Sequence, residues 1–520
     1  MFLFIFIPTV LSLSKILESS DKWAFIVEQL LEAYITQTFI LICSVVVLTL
    51  ALGVFSAYII STYTFKGRRL LELFLYLPMA VPPYVLSYIY VDSLSFQGRL
   101  YRLFSILGIK LELNVFNMGM AIIVLSLSLF PYVYIPLKSY LKHRNLIYED
   151  VAKLLHKSRL KTLIHVKIPM MLPALLTAGM FVLFETLNDY GVSKYLNIKT
   201  LTVGMFDAWF QLNDITAAFY LAFIYIGFIL IAIFIFQAFN KNKNTAVGGH
   251  YKKQRYKSLL QWRRYVYPVF LWIIIIFSLL WPLVELILNV LQSISNVNIK
   301  TFLSALGNTL IIAFTASTLI IIISLFVGNF YRFAKRKWMK KMFNLFVVGY
   351  ALPGVMIAFI YYVFFIQLDS LFEPIYDVFR VEGLVLSLSI WMLIATLVFR
   401  FFAIGYRQVI ASYTSVGMTQ TLTSYTLHMS KLKTLWFVDV PMIKKGLIAG
   451  FIISFIDISK ELPMTLLLRP FNMQTLSTLT FTYINNEDIQ GASLPSLALI
   501  LISMVFIYML SGKNRQTYVS

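Results

Sequence analysis

The chain alternates long apolar runs with short polar segments rich in lysine and arginine. A helix that spans a bilayer needs about 20 predominantly apolar residues. Runs of that kind lie near residues 38–60, 70–94, 118–137, 171–190 and 217–239. A second series lies near residues 266–291, 303–330, 342–366, 384–402, 443–457 (running on towards 462) and 494–510. Residues 2–17 form a shorter apolar run. It lacks the basic start and small-residue cleavage site of a signal peptide, and it reads as a short first span. The pattern predicts an all-α polytopic membrane protein with about twelve transmembrane helices.

The polar segments carry a repeat. Residues 147–170 read IYEDVAKLLHKSRLKTLIHVKIPM and residues 419–442 read TQTLTSYTLHMSKLKTLWFVDVPM. They align without a gap at an offset of 272 (441 − 169), pairing Leu155 with Leu427, His156 with His428, Ser158 with Ser430 and Pro169 with Pro441. At an offset of 275, Gly53 pairs with Gly328, Leu77-Pro78 with Leu352-Pro353 and Thr200-Leu201 with Thr475-Leu476. The chain therefore divides into a first transmembrane half, 1–240, a linker, 241–264, and a second half, 265–520. An even number of spans per half makes the two six-helix repeats parallel, unlike the inverted repeats of many secondary transporters.

Each copy predicts an elbow. Leu154, Leu155 and Ser158 fall on one helical face with Lys153, Lys157 and Lys161 opposite. A helix of about 10 residues is too short to be stable alone in water, so it needs a docking surface. Pro169 disfavours helix at Ile168, which predicts a bend there, and suits the first position of the next apolar helix. A single copy would read rather as an ordinary amphipathic interfacial loop. Duplication in register favours a segment that transmits force.

Composition narrows the class. The 520 residues are 59% hydrophobic and 13% charged, against about 25% charged in soluble domains. Net charge is +21, but the basic residues cluster between spans, which argues against nucleic acid as a partner. They lie at Lys66, Arg68 and Arg69, along Lys138–Lys167, through the linker, at Arg332–Lys341, and at Arg400, Arg407, Lys431, Lys433, Lys444 and Lys445. Placed inside, this bias puts both termini and both elbows in the cytoplasm. The linker has Gly248-Gly249 and no acid, and reads as a flexible tether held near anionic lipid. Cys43 is the single cysteine, which excludes a disulfide framework, and it is expected to be buried in a span.

No nucleotide-binding loop, zinc-protease motif, paired-cysteine motif or nucleophile elbow occurs, so an enzyme reading has no active site, and no metal or cofactor is assigned to this chain. The candidate substrate-path residues are four acids at the ends of the spans after each elbow. Glu185 and Asp189 are four residues apart, as are Asp457 and Glu461 at the offset of 272, a spacing that puts each pair on one helical face. Acids in membrane helices usually face a bundle interior or a watery path. The alternative is a solvated place at the outer interface, with Lys194 or Lys460 as partners.

The elbows resemble the EAA loop of ATP-binding cassette (ABC) importer permeases, E-A-A-x3-G-x9-I-x-L-P. The match falls on Asp150-Val151-Ala152, His156 and residues 166–169, then on Leu422-Thr423-Ser424, His428 and residues 438–441. The acid is Asp in the first copy and missing in the second, and histidine replaces the glycine in both. Histidine reaches the left-handed region more readily than most residues. Residues 457–476, residues 75–90 and Asp189-Tyr190-Gly191 resemble the ferric-iron permeases in their fused two-half form. That resemblance implies a type I importer fold and an elbow helix seated in a groove of a separate ATPase. Asp150, Ala152, Leu155, His156, Ser158, Pro169, Leu427, His428, Ser430 and Pro441 are then the coupling residues. It also implies two ATPase copies that use the ATP, an extracytoplasmic binding protein delivering Fe(III), and residence in the cytoplasmic membrane. Related fused permeases carry thiamine or other small solutes. An ion-coupled secondary transporter using the four acids is the other function class.

The topology is testable with thiol chemistry in a Cys43-free background. A cysteine placed at Lys157 or Ser430 is expected to resist an impermeant reagent in intact cells and to react in inverted vesicles. Labelling in intact cells would reverse the orientation.

Overall fold

The computed structural model describes residues 8, 18–96, 98–108, 114–143, 154–155, 158–240, 257–258, 263–293, 298–334, 336, 339, 348–379, 384–387 and 389–513. Among the described residues the regular structure is helical, apart from a two-residue parallel bridge between Tyr63–Thr64 and Lys257–Ser258. Among the described residues eight helices are long and apolar enough to cross a membrane, and up to ten if each of two bent pairs is one span. The bent pairs are Arg68–Ala80 with Pro83–Leu94 (96°) and Met118–Leu129 with Pro131–Lys142 (41°). The Val440–Ser459 helix is not among the eight, because Lys444, Lys445 and Asp457 raise its charge. The short run 2–17 lies, except for Pro8, outside the described residues.

Two compact units emerge. One comprises Trp23–Gly204 with Leu221–Leu291; the other comprises Met1–Lys22, Met205–Tyr220 and Gln292–Ser520. These units follow packing and are partitioned differently from the sequence halves. In the first, Ala57, Ile60, Leu71, Phe130, Tyr134 and Leu137 share one buried cluster with Leu271, Ile274 and Ile275 of the Arg263–Ile275 helix. The same unit buries a polar group: Glu285 accepts from Ser93 Oγ (2.9 Å) and pairs with Arg99, which also donates to Asn289 (2.8 Å). In the second, helices Ile299–Phe333, Ile390–Val416 and Val440–Ser459 pack together, with Leu325, Val409, Tyr413, Leu435 and Ile443 buried among them.

The repeat reappears as repeated contacts. A Cβ at Gly53 would lie 2.5 Å from Val133 Cβ, and one at Gly328 would lie 3.0 Å from Val409 Cγ1. The Leu201 N–H donates to Thr38 Oγ1 (2.9 Å), and the Leu476 N–H donates to Thr309 Oγ1 (2.8 Å). Each acceptor threonine donates its own proton to the carbonyl four residues back, Tyr34 or Ala305. The bonds are alike, although their acceptors, 271 residues apart (309 − 38), sit about one helical turn off the 275 that pairs the glycines of the same helices.

Three expectations change. The chain does not leave the helix at Ile168: π turns at Leu163–Lys167 and Leu435–Asp439 run without a break into the following helices. A π turn shifts the hydrogen-bond register by one residue, so the N–H that proline lacks coincides with a bond already displaced. Arg400 is not a cytoplasmic flank, because the helix continues to Val416 and buries it. Cys43 is on the Leu31–Thr62 helix but is exposed. That helix is apolar all round, so spacing alone does not show which face packs.

The glycine contact yields a prediction. Gly53→Ala presses a methyl onto the stiff Cβ of Val133, and overpacking of this kind costs about 1–3 kcal/mol. The thermal midpoint of detergent-purified protein is expected to fall, and an unchanged midpoint would show that the Val133 helix gives way to the methyl.

Candidate functional site

The second elbow is described from end to end. Gly417 turns the chain out of the Ile390–Val416 helix with φ 77°. The Thr419–Thr426 helix follows and ends at His428, which is left-handed with φ 58°. Ser430 caps the next turn, accepting from the Lys433 N–H (3.4 Å), and the π turn Leu435–Asp439 leads into Val440–Ser459 with Pro441 in its first turn. The first elbow shows the same local grammar where it is described. Ser158 Oγ accepts from the Lys161 N–H (3.3 Å), and Pro169 lies in the first turn of Ile168–Asn188. Asp150, Ala152 and His156 lie outside the described residues.

What the elbows present is apolar. Leu427 is 72% exposed and Leu155 63%, with Leu422, Leu432 and Phe437 also exposed on the second elbow. Its inner side is polar. Arg332, in the last turn of Ile299–Phe333, donates to Asp439 Oδ1 (3.1 Å), to the Gly417 carbonyl (2.7 Å) and to Thr421 Oγ1 (3.1 Å). Thr421 donates to Asp439 Oδ1 (2.6 Å), and Ser424 donates to Thr434 Oγ1 (3.0 Å).

The four acids do not stand as two matched pairs. Glu185 and Asp457 lie within their helices, whereas Asp189 and Glu461 lie just beyond the helix ends, because the chain leaves the helix at Asn188 and Ser459. The carboxylates of Asp189 and Glu461 cap the next short helix. Asp189 accepts from the N–H of Ser193 (2.9 Å), the N–H of Val192 (3.3 Å) and Ser193 Oγ (2.9 Å). Glu461 accepts from the N–H of Met464 (2.9 Å), the N–H of Thr465 (3.0 Å) and Thr465 Oγ1 (2.8 Å). Both short helices are thus opened by an acid answering their free N–H groups.

One feature separates the two caps. Glu461 also accepts from Arg400 Nη1 (3.4 Å), both side chains being buried. Ser128 stands where Arg400 stands at the offset of 272, and its hydroxyl donates to the Val81 carbonyl instead. Arg400 fits because position 354 is glycine; a Cβ there would meet Nη1 at 2.0 Å. Asp457 pairs with Lys460 (3.4 Å). Sequence reading missed Arg332, Asp439 and Arg400. The available signals were an acid isolated in a basic segment and an arginine inside an apolar run.

Residues 25–245 match the family described as the binding-protein-dependent transport system inner membrane component. The chain is a permease of that kind. The permease is 25% identical over 486 residues to the Fe(3+)-transport system permease FbpB 2 of Haemophilus influenzae, covering 92% of this chain and 89% of that one. It is also similar to the molybdenum transport permease ModB of Escherichia coli, 25% identical over 28% of this chain and 64% of the relative. A probable sulfate transport permease, CysT of Chlorokybus atmophyticus, is 28% identical over 39% of this chain and 69% of the relative. The permease is therefore a multi-pass membrane protein of the ABC importers, a family whose permeases are not themselves enzymes.

The two caps differ in what their removal exposes. Glu461→Gln leaves Arg400 buried without its counter-charge, which costs about 3–5 kcal/mol. Asp189→Asn keeps a good capping oxygen and loses roughly one hydrogen bond, about 1 kcal/mol. Membrane levels and thermal midpoints are expected to fall far more for Glu461→Gln; equal effects would refute the ion-pair asymmetry.

Proposed function

We propose that the permease moves Fe(III) inward across the cytoplasmic membrane, driven by separate ATPase subunits that dock on its two elbows. An extracytoplasmic binding protein delivers the solute, both termini and both elbows are cytoplasmic, and two ATPase copies serve the two elbows. The observation that carries the elbow reading is the pair of exposed leucines at equivalent positions, Leu155 and Leu427, the second closing the short Thr419–Thr426 helix, which has no core of its own. Such a helix is stable only when its apolar face is covered.

The iron reading is supported by the extent of the likeness: the iron permease aligns over 92% of this chain, the molybdenum and sulfate relatives over 28% and 39%. Fe(III) is a hard cation that prefers oxygen ligands. Among the four acids, the Asp189 and Glu461 carboxylates are engaged as caps, so their part in transport is to set the shape of the segments that follow the elbows. Glu185 and Asp457 remain the acids at the span ends through which a cation relay would act.

Two experiments test this. Uptake of radiolabelled iron, molybdate and sulfate is measured in a strain lacking its own importers and supplied with this permease, its ATPase and its binding protein. Iron alone is expected to accumulate; accumulation of an oxyanion instead would replace the substrate. Leu155→Asp and Leu427→Asp each bury an unpaired charge at the docking face, a cost of several kcal/mol. Both variants are expected to insert normally and to lose ATPase on co-purification, and normal recovery of ATPase with both would remove the docking assignment.

A further inference from the structure

The second elbow departs from the motif it resembles, since Leu422 stands where an acid is expected. The structure places an acid inside the same elbow by another route. Asp439 lies 18 residues beyond Thr421 and accepts its hydroxyl proton at 2.6 Å. Arg332 reaches both from the end of the Ile299–Phe333 helix and adds a bond to the Gly417 carbonyl at 2.7 Å. Its guanidinium lies 4.3 Å from the centre of the Tyr413 ring, and the Arg332 and Asp439 side chains are 7% and 4% exposed. One planar cation thus holds four pieces of chain: a long helix, the turn that enters the elbow, the elbow's first limb and its second limb. A guanidinium suits this task because it offers several donors in a fixed plane and stacks on aromatic rings.

The first elbow is built with other charges. Lys167 stands where Asp439 stands, and Glu149 stands where Thr421 stands, each at the offset of 272. The arginine latch as described therefore belongs to the second elbow.

We propose that Arg332 is the positioning residue of the second elbow: with Asp439 and Thr421 it makes the elbow and the Ile299–Phe333 helix one rigid body, so that movement imposed on the exposed Leu427 face reaches the membrane helix. This rests on the reading of the elbow as the ATPase dock. Without the latch, the docking face persists but the limb behind it yields. ATP is then hydrolysed without a matching movement of solute.

The test uses the full permease with its ATPase and binding protein in proteoliposomes, measuring ATP hydrolysis and solute uptake together. Two variants are compared with the parent: Arg332→Ala, and the double Arg332→Met with Asp439→Leu. The second replaces a buried ion pair with apolar bulk, a change that folded proteins often tolerate. Both are expected to retain the ATPase and its hydrolysis while solute moved per ATP falls on the order of tenfold, within the usual range of a site-to-site coupling. Unchanged solute per ATP in the double variant overturns the proposal. Loss of the ATPase from either variant also overturns it, because the latch would then only build the docking face. Absence of both variants from the membrane overturns it in favour of a purely structural role. Failure of the docking reading shows separately, as a parent permease that never retains the ATPase.

Discussion

A helix that starts among apolar neighbours leaves N–H groups that water cannot reach, and the protein must answer them itself. That obligation shapes both halves of this permease. After each elbow a long helix runs out, stops, and restarts as a short helix whose first N–H groups are met by a carboxylate, Asp189 in one case and Glu461 in the other. The next helix is met in the same manner by a threonine hydroxyl from a long helix, Thr38 or Thr309. The broken segments are therefore held at fixed points along continuous helices. The helices that follow the elbows therefore end in fixed joints.

Much of this was legible because duplication supplies its own control. Two copies of one pattern 272 residues apart (441 − 169) separate what the fold needs from what a single loop happens to contain. Ser158 and Ser430 cap equivalent turns, Pro169 and Pro441 open equivalent helices, and Gly53 and Gly328 each admit a valine of a packed helix. Features that differ between copies were harder to read. Arg400 has a serine as its counterpart, and Asp439 has a lysine. A long-range partner leaves no trace in local periodicity, so a buried arginine looks like an interfacial one until its acid is found 61 residues away. The π turns were hidden for another reason: helix-breaking rules describe proline against an i−4 ladder, and here the ladder has already shifted.

The two halves thus share joints and differ in the charges behind them. Glu461 is neutralised by Arg400, whereas Asp189 is met by a serine and backbone N–H groups. A common scaffold with unequal electrostatics allows each half to be tuned separately, since changing one cap's counter-ion leaves the other cap's hydrogen bonds untouched.

The Arg263–Ile275 helix opens the second sequence half yet buries Leu271, Ile274 and Ile275 in a cluster with Ala57, Ile60 and Phe130 of the first. Were the halves separate chains, that helix would have to find its place by collision, and two identical halves could compete for it. A covalent tether makes the encounter intramolecular, at an effective concentration set by linker length and stiffness. Fusion therefore enforces stoichiometry: each first half receives one second half, and the unequal capping acids always come as a mixed pair.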